Sequence, residues 1–308
     1  MILVCGVLAD GMIELMCARL NHMGYPYLFL DELRFPGEFN LTWSISAKGV
    51  DGYISAPSGR FNLADITGVY ARYVQYRGGT KREGISDRED ELVKSEYQAS
   101  LMQLLDILPC VVVNRVRASV SNDSKPYQQL MVSTFGFHTP RTLITTMPEE
   151  ARAFYEDCGK KIIYKSLSGV RSIVRRFEDI DLSRLERVRN CPTQFQEVVE
   201  GVDIRVHTVG DEVIATELTS DASDYRYAGS TGHALKARAI ELPEEVASAC
   251  TRLANSAGLT VSGIDLRRTI DDRYFCFEIN PSPGFLFFER ASGQPISEAV
   301  ARLLRGDR

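Results

Sequence analysis

The chain has 308 residues, 44% of them hydrophobic and 25% charged, a size that allows two or three packed units of an ordinary globular composition. Its net charge of −5 excludes a broad nucleic-acid-binding surface, so no nucleic-acid partner is expected. Its 7 cysteines are odd in number and widely spaced with no Cys-x-x-Cys, which excludes a disulfide framework and a zinc site and points to reduced thiols in the cytoplasm.

Met1 to Ala9 is apolar, lacks a basic segment and runs straight into Asp10 and Glu14. That reads as a core strand over 2–8 rather than a signal peptide. No apolar run approaches the ~18 residues of a membrane span, so no membrane partner is expected. Asp10 can cap a helix carrying Ile13, Leu15, Met16 and Leu20. Gly24 closes it, and residues 25–30 form a second strand, the start of a small open α/β layer. No Gly-x-Gly-x-x-Gly follows the first strand, so a dinucleotide fold has little support. Residues 41–76 read as short strands with turns at Gly49, Asp51-Gly52 and Ser58-Gly59, the last strand being Gly68-Val69-Tyr70-Ala71-Arg72-Tyr73. Ser86-x-x-Glu89 is a capping box. The helix it opens carries Val93, Tyr97, Leu101, Leu104 and Leu108 on one face. Residues 110–113 form another buried strand, and a first boundary falls in the polar run 119–125.

Residues 123–135 read as a helix with Asn122 or Asp123 at its cap and Pro126 in its first turn. Strands follow at 141–145, 161–165 and 172–177, with a helix over 148–158 and a small loop at 166–169. The basic clusters Arg171/Arg175/Arg176 and Arg184/Arg187/Arg189 read as solvated faces. Residues 194–206 run Gln-Phe-Gln-Glu-Val-Val-Glu-Gly-Val-Asp-Ile-Arg-Val, and 207–218 form a hairpin turning at Gly210-Asp211. His233, alone in a Gly-flanked loop, reads as incidental. A helix over 243–257 ends at Gly258. A last helix over 297–304 has Ile296, Val300, Leu303 and Leu304 on one face.

Between those helices, two apolar segments, 260–266 and 274–279, flank the acidic turn Asp271-Asp272, the pattern of a hairpin or adjacent strands. Alternation along a strand sends Phe275, Phe277 and Ile279 towards a core. It sends Glu278 and Asn280 the other way, beside Asp265. Two carboxylates and an amide oxygen on one face form a hard oxygen site of the kind Mg²⁺ occupies together with a nucleotide's phosphates; a solvated acidic face is the competing reading. Asn-Pro-Ser-Pro-Gly then stops the strand abruptly.

Gly263-Ile-Asp-Leu followed by Glu278-Ile-Asn-Pro-Ser-Pro-Gly resembles the C-terminal metal motif of the ATP-grasp ligases, in the RimK-type branch that includes glutathione synthases and the maturases of ribosomally made peptides (graspetide synthetases). Gly68 to Tyr73 is similar to a strand of the peptide maturases. The resemblance implies an ATP-grasp fold of mixed α/β and α+β class. Its units would be an N-terminal α/β domain over 1–120, a lid over 121–199 and a C-terminal ATP-binding domain over 200–308. It implies ATP and Mg²⁺ (with Mn²⁺ as a substitute) held by Asp265, Glu278 and Asn280. Lys125 and Lys165 would contact phosphates, and Ser168-Gly169 would cover them. Gln196, Glu197, Val198 and Val199 would form the hinge that reads the adenine edge, with Asp203 at the ribose. Arg205, Lys165 and Arg226 would face the transferred phosphoryl; a buried Asp-x-Arg pair without a ligand role competes for Arg205. The implied activity is ligation of a carboxylate to an amine or hydroxyl through an acyl phosphate, on a peptide substrate. The alternatives are an amino-acid ligase acting on a protein tail or small metabolite, and a non-catalytic nucleotide-binding regulator; a homo-oligomer stays open.

Overall fold

The computed structural model of the protein describes residues 1–34, 37–72, 84, 86–120, 124–167, 174–220 and 235–307. The chain opens with β1 (Ile2–Gly6), α1 (Gly11–His22) and β2 (Tyr27–Asp31). Asp10 caps α1, its carboxylate accepting the Met12 N–H at 2.8 Å. An antiparallel meander follows, β3 (Asn40–Ser46), β4 (Gly49–Ala56) and β5 (Gly59–Asn62). Then come β6 (Gly68–Ala71), α2 (Asp87–Ile107), β7 (Val111–Val113) and the short α3 (Val116–Ser119). The first sheet is parallel, in the order β2-β1-β6-β7. Every residue of β1 is buried because both sheet faces are covered. Leu3 and Cys5 pack with Leu101, Leu104 and Leu108 from α2 and its end, while Ile2 and Val4 pack with Met16 and Leu20 of α1. The Ser86/Glu89 capping box forms as expected. Asp51-Gly52 is not a turn: both lie within β4, opposite Ser44 and Trp43 of β3. There the β3 backbone at Thr42 and Trp43 fills the space of a side chain on Gly52.

The middle of the chain comprises α4 (Lys125–Ser133), β8 (Thr142–Thr145), α5 (Pro148–Asp157), β9 (Ile162–Lys165), β10 (Arg175–Arg176) and β11 (Thr193–Glu197). The strands form an antiparallel sheet, β10-β9-β11-β8. The cap of α4 is Ser124, whose hydroxyl accepts the Tyr127 N–H at 3.4 Å; Asn122 and Asp123, the expected caps, lie outside the described residues. Between β10 and β11, residues 179–190 wind as successive 3₁₀ turns, which the sequence reading missed. Leu182, Leu185 and Val188 recur every third residue, the period of that helix, and pack against Ala151, Tyr155 and Phe195.

The last part holds β12 (Val202–Val209), β13 (Glu212–Ser220), β14 (Leu235–Ile240), α6 (Glu244–Ser256), β15 (Val261–Arg268), β16 (Tyr274–Asn280), α7 (Leu286–Ser292) and α8 (Ile296–Arg305). Neither β14 nor α7 was expected. The antiparallel sheet runs β14-β13-β12-β15-β16. Cys250 and Leu253 of α6 cover one face, against Ile204, Val206, Ile264 and Ile279. On the other side, Val300 and Leu304 of α8 share a core with Ile2 and Val4 of the first sheet and with Val209 and Val261. Arg19 of α1 reinforces that junction, donating to Glu289 and to Ser297, both at 2.9 Å.

The β15–β16 hairpin departs from simple alternation. Asp265 faces Glu278 but Leu266 faces Cys276, so Phe277 is an extra residue in a bulge. Cys276 and Ile279, rather than Phe277, therefore enter the α6 core, and Phe277 lies half-buried beneath Arg267. Bulges re-aim side chains in this way. Glu278 and Asn280 still share a face, because alternation resumes beyond the bulge. Among the described residues no helix is long and apolar enough to cross a membrane.

Candidate active site

On the face of the last sheet opposite α6, three strands line up polar residues in rows. Arg205, Asp265 and Glu278 are directly opposite one another on β12, β15 and β16. Arg205 Nη1 donates to Asp265 Oδ1 at 2.7 Å, with side chains only 6% and 15% exposed. One row along, His207 faces Gly263, which faces Asn280. In the row on the other side Asp203 faces Arg267, whose Nε donates to Asp203 Oδ1 at 2.8 Å. Gly263 carries no side chain for a physical reason: a Cβ there would lie 2.5 Å from Arg205 Cζ and 2.8 Å from Pro283 Cβ. The Asp-x-Arg pair of the sequence reading is thus two cross-strand pairs, Asp203 with Arg267 and Arg205 with Asp265.

His207 is fully buried, its ring edge-on to Phe285 and Phe288 with centroids 6.3 and 5.1 Å away. Burial pushes its pKa well below the ordinary imidazole value, and the positive charge of Arg205 pushes the same way. It is a neutral histidine at physiological pH.

The end of β16 is held from three directions by residues the sequence reading did not assign to the site. Asn280 Oδ1 accepts the Ser282 N–H at 2.9 Å, turning the chain into Pro281-Ser282-Pro283. Asn114, buried just after β7, donates to the Pro281 carbonyl and accepts the Val261 N–H at 3.1 Å. Arg72, at the end of β6, donates to Ser282 Oγ at 3.0 Å and to Asp10 at 2.8 Å. Gln128 of α4 acts as a strand surrogate: its amide donates to the Ile279 carbonyl at 2.7 Å and accepts the Ile279 N–H at 3.3 Å. With the backbone of His138, bonded to Tyr274 and Cys276, Gln128 covers the outer edge of an edge strand. Gln128 had a sequence signal, a polar residue on the buried stripe of α4 with Val132; Asn114 had none.

The donor set fits a divalent cation. Asp265 and Glu278 are like charges directly opposite each other, an arrangement that is costly without a neutralising cation. Arg205 offsets one of the two. Asp265, Glu278 and Asn280 are half-buried, as hard oxygen ligands open to phosphate on one side would be. Among the described residues there is no cluster of three His, Cys, Asp or Glu side chains suited to a metal, so two carboxylates and an amide are the set this face offers.

Across the link from β11 to β12, Lys165 Nζ donates to Gln196 Oε1 at 3.3 Å, and Gln196 Nε2 donates to Thr142 Oγ1 at 3.0 Å. Glu197 receives Arg141 Nε at 2.8 Å. The N–H groups of Glu197 and Val198 are taken by the carbonyls of Arg141 and Lys161, and the Val199 carbonyl is taken by Arg267 Nη1 at 2.8 Å. Lys125, half-buried, is the first residue of α4. Ser168, Gly169 and Arg226 lie outside the described residues, as do Tyr73, Arg171 and His233.

A model of the RimK-like ATP-grasp domain matches residues 122–304. Beta-citrylglutamate synthase B of Danio rerio is 26% identical over 220 residues, which is 68% of this chain and 54% of that protein. A probable alpha-L-glutamate ligase of Haemophilus influenzae is 25% identical over 186 residues, 56% of this chain and 59% of that protein. The chain thus spans between half and three-fifths of the length of these curated relatives. Among solved structures, the macrocyclase MdnC of Microcystis aeruginosa, bound with precursor peptide MdnA, superposes with a TM-score of 0.81 at 23% identity, covering 100% of both chains. The ATP-grasp ligase PsnB, complexed with a phosphomimetic variant of its minimal precursor, Mg and ADP, gives 0.79 at 28% identity over 99% of this chain and 98% of that one.

Proposed function

The chain belongs to the RimK-like ATP-grasp family and has its fold, and from that premise we propose that it is an ATP-dependent ligase joining a carboxylate to an amine or hydroxyl on a peptide substrate. The observation that carries this reading is the in-register row Arg205–Asp265–Glu278, with Asn280 on the same face. A carboxylate oxygen attacks the γ-phosphorus of ATP and ADP leaves. The nucleophile then attacks the acyl carbon, loses its proton and expels phosphate, forming an amide or ester. No nucleophilic side chain is required; positioning and charge stabilisation are the catalysis. Asp265, Glu278 and Asn280 would hold Mg²⁺, or Mn²⁺ in its place, which when bound supplies charge neutralisation at the phosphate oxygens. Arg205 orients Asp265 and adds a fixed positive charge beside it. Lys165 and Lys125 face the phosphates, and Ser168, Gly169 and Arg226 belong to the same reading. Gln196, Glu197, Val198 and Val199 form the hinge at the adenine edge, and Asp203 stands at the ribose.

The peptide substrate is supported by PsnB, which is similar over nearly the whole chain and was solved with its minimal precursor. The division at residues 120 and 199 is part of this proposal. The seven free cysteines suit a reducing compartment, and we place the enzyme in the cytoplasm. ADP release with Mg²⁺, ATP and a panel of carboxylate-bearing peptides tests the reading. Release that depends on a peptide supports it. Release that depends on free glutamate instead transfers the assignment to an amino-acid ligase. Nucleotide binding with no release under any substrate leaves a regulator that only binds.

A further inference from the structure

Resting on that ligase reading, we propose that Arg267 is a positioning residue that fixes the nucleotide hinge and the metal-bearing strand in one frame. Arg267 lies on β15 two residues from Asp265 and on the same face,. Its guanidinium is engaged on three sides at once. Nε and Nη2 hold Asp203 Oδ1 at 2.8 and 2.6 Å. Nη1 donates to the Val199 carbonyl at 2.8 Å. Cζ sits 5.4 Å from the ring centroid of Phe277, the bulge residue next to Glu278.

A cross-strand Asp–Arg pair alone would use only the Asp203 side of the fork. The Val199 engagement reaches residues 198–201, which have no strand partner. From the β9 side that link is held by Val198, whose N–H goes to the Lys161 carbonyl. From the β15 side it is held by Arg267. Gly201 lets the link pass directly over the Arg267 stem: a Cβ there would come 2.9 Å from Arg267 Cγ and onto the Arg268 carbonyl. On the β15 side, the position of Val199 relative to Asp265 and Glu278 is therefore pinned by one planar side chain. Lysine can keep a charge opposite Asp203, but as a point charge it cannot also reach the Val199 carbonyl and stack on Phe277.

The test is calorimetric titration of the full-length protein with ATP and Mg²⁺, alongside its unfolding temperature without nucleotide. Arg267→Lys, which frees the Val199 carbonyl and lets the link shift, is expected to weaken ATP binding about tenfold, while loss of that internal hydrogen bond lowers the unfolding temperature by no more than about 5 °C. Arg267→Met, which keeps the stem but strands Asp203, is expected to lose more. A lysine variant that binds ATP within twofold of the parent overturns the inference, as does a loss of affinity that appears only with a fall of the unfolding temperature by about 8 °C or more. A parent protein that binds no ATP removes the ligase reading itself, a result distinct from either.

Discussion

The guanidinium of Arg205 occupies the space that a side chain on Gly263 would fill, with Cζ 2.5 Å from the Cβ position. Arg205 is only 5% exposed, so it has nowhere to retreat. Gly263→Ala is expected to cost about 1–3 kcal/mol through overpacking. Pushing Arg205 off Asp265 is expected to lower turnover ~100-fold. Urea denaturation and ADP release measure the two losses.

Glu278→Gln is expected to separate activity from stability. It removes a like charge directly opposite Asp265, so without Mg²⁺ the variant should be as stable as the parent or up to about 1 kcal/mol more so. Turnover should fall ~1,000-fold, because charge stabilisation at the phosphoryl is lost. Near-parental ADP release would take Glu278 out of the metal site.

Lys165→Ala removes the ammonium held by Gln196. ATP affinity is expected to fall about tenfold, as for loss of one charge-assisted contact to phosphate. An unchanged dissociation constant for ATP would assign Lys165 to the surface.

His207 gives a pH dependence whose sign is fixed. Its folded-state pKa is depressed by burial and by Arg205, so below the ordinary value of ~6.5 the unfolded chain binds a proton that the folded one refuses. Its contribution to stability is complete above that value and is lost as pH falls from there towards the depressed folded-state pKa. His207→Leu, of similar bulk, should flatten this part of the stability–pH curve. Denaturant midpoints at pH 7.5 and 5.5 for both proteins provide the check, and parallel falls would refute it.

Much of the molecule was legible from sequence where the signal is local. The apolar runs at residues 2–8 and 110–113 became strands of a sheet buried on both faces, and the hairpin around Asp271-Asp272 formed with its acidic residues on one side. The expected family was borne out by the domain match over 122–304. What stayed hidden was set by tertiary structure. Tyr274 to Asn280 alternates equally well with or without a bulge, and only the pairing with β15 places one at Phe277. Asn114 and Gln128 act across 147 and 151 residues of chain, a separation no spacing rule spans. Residues 179–190 escaped because a period of three is not the 3.6 of an α-helix.

The core shared by β1, α1 and α8 bears on how the protein is made. Ile2 and Val4 share their core with Met16 and Leu20 of the nearby α1 and with Ile296, Val300 and Leu304 from far along the sequence, so this face of the sheet is covered in two instalments. Before α8 docks, the N-terminal sheet is fully covered only on its α2 side. On its second face α1 shields part of the apolar surface, and the rest stays open until α8 arrives to close it.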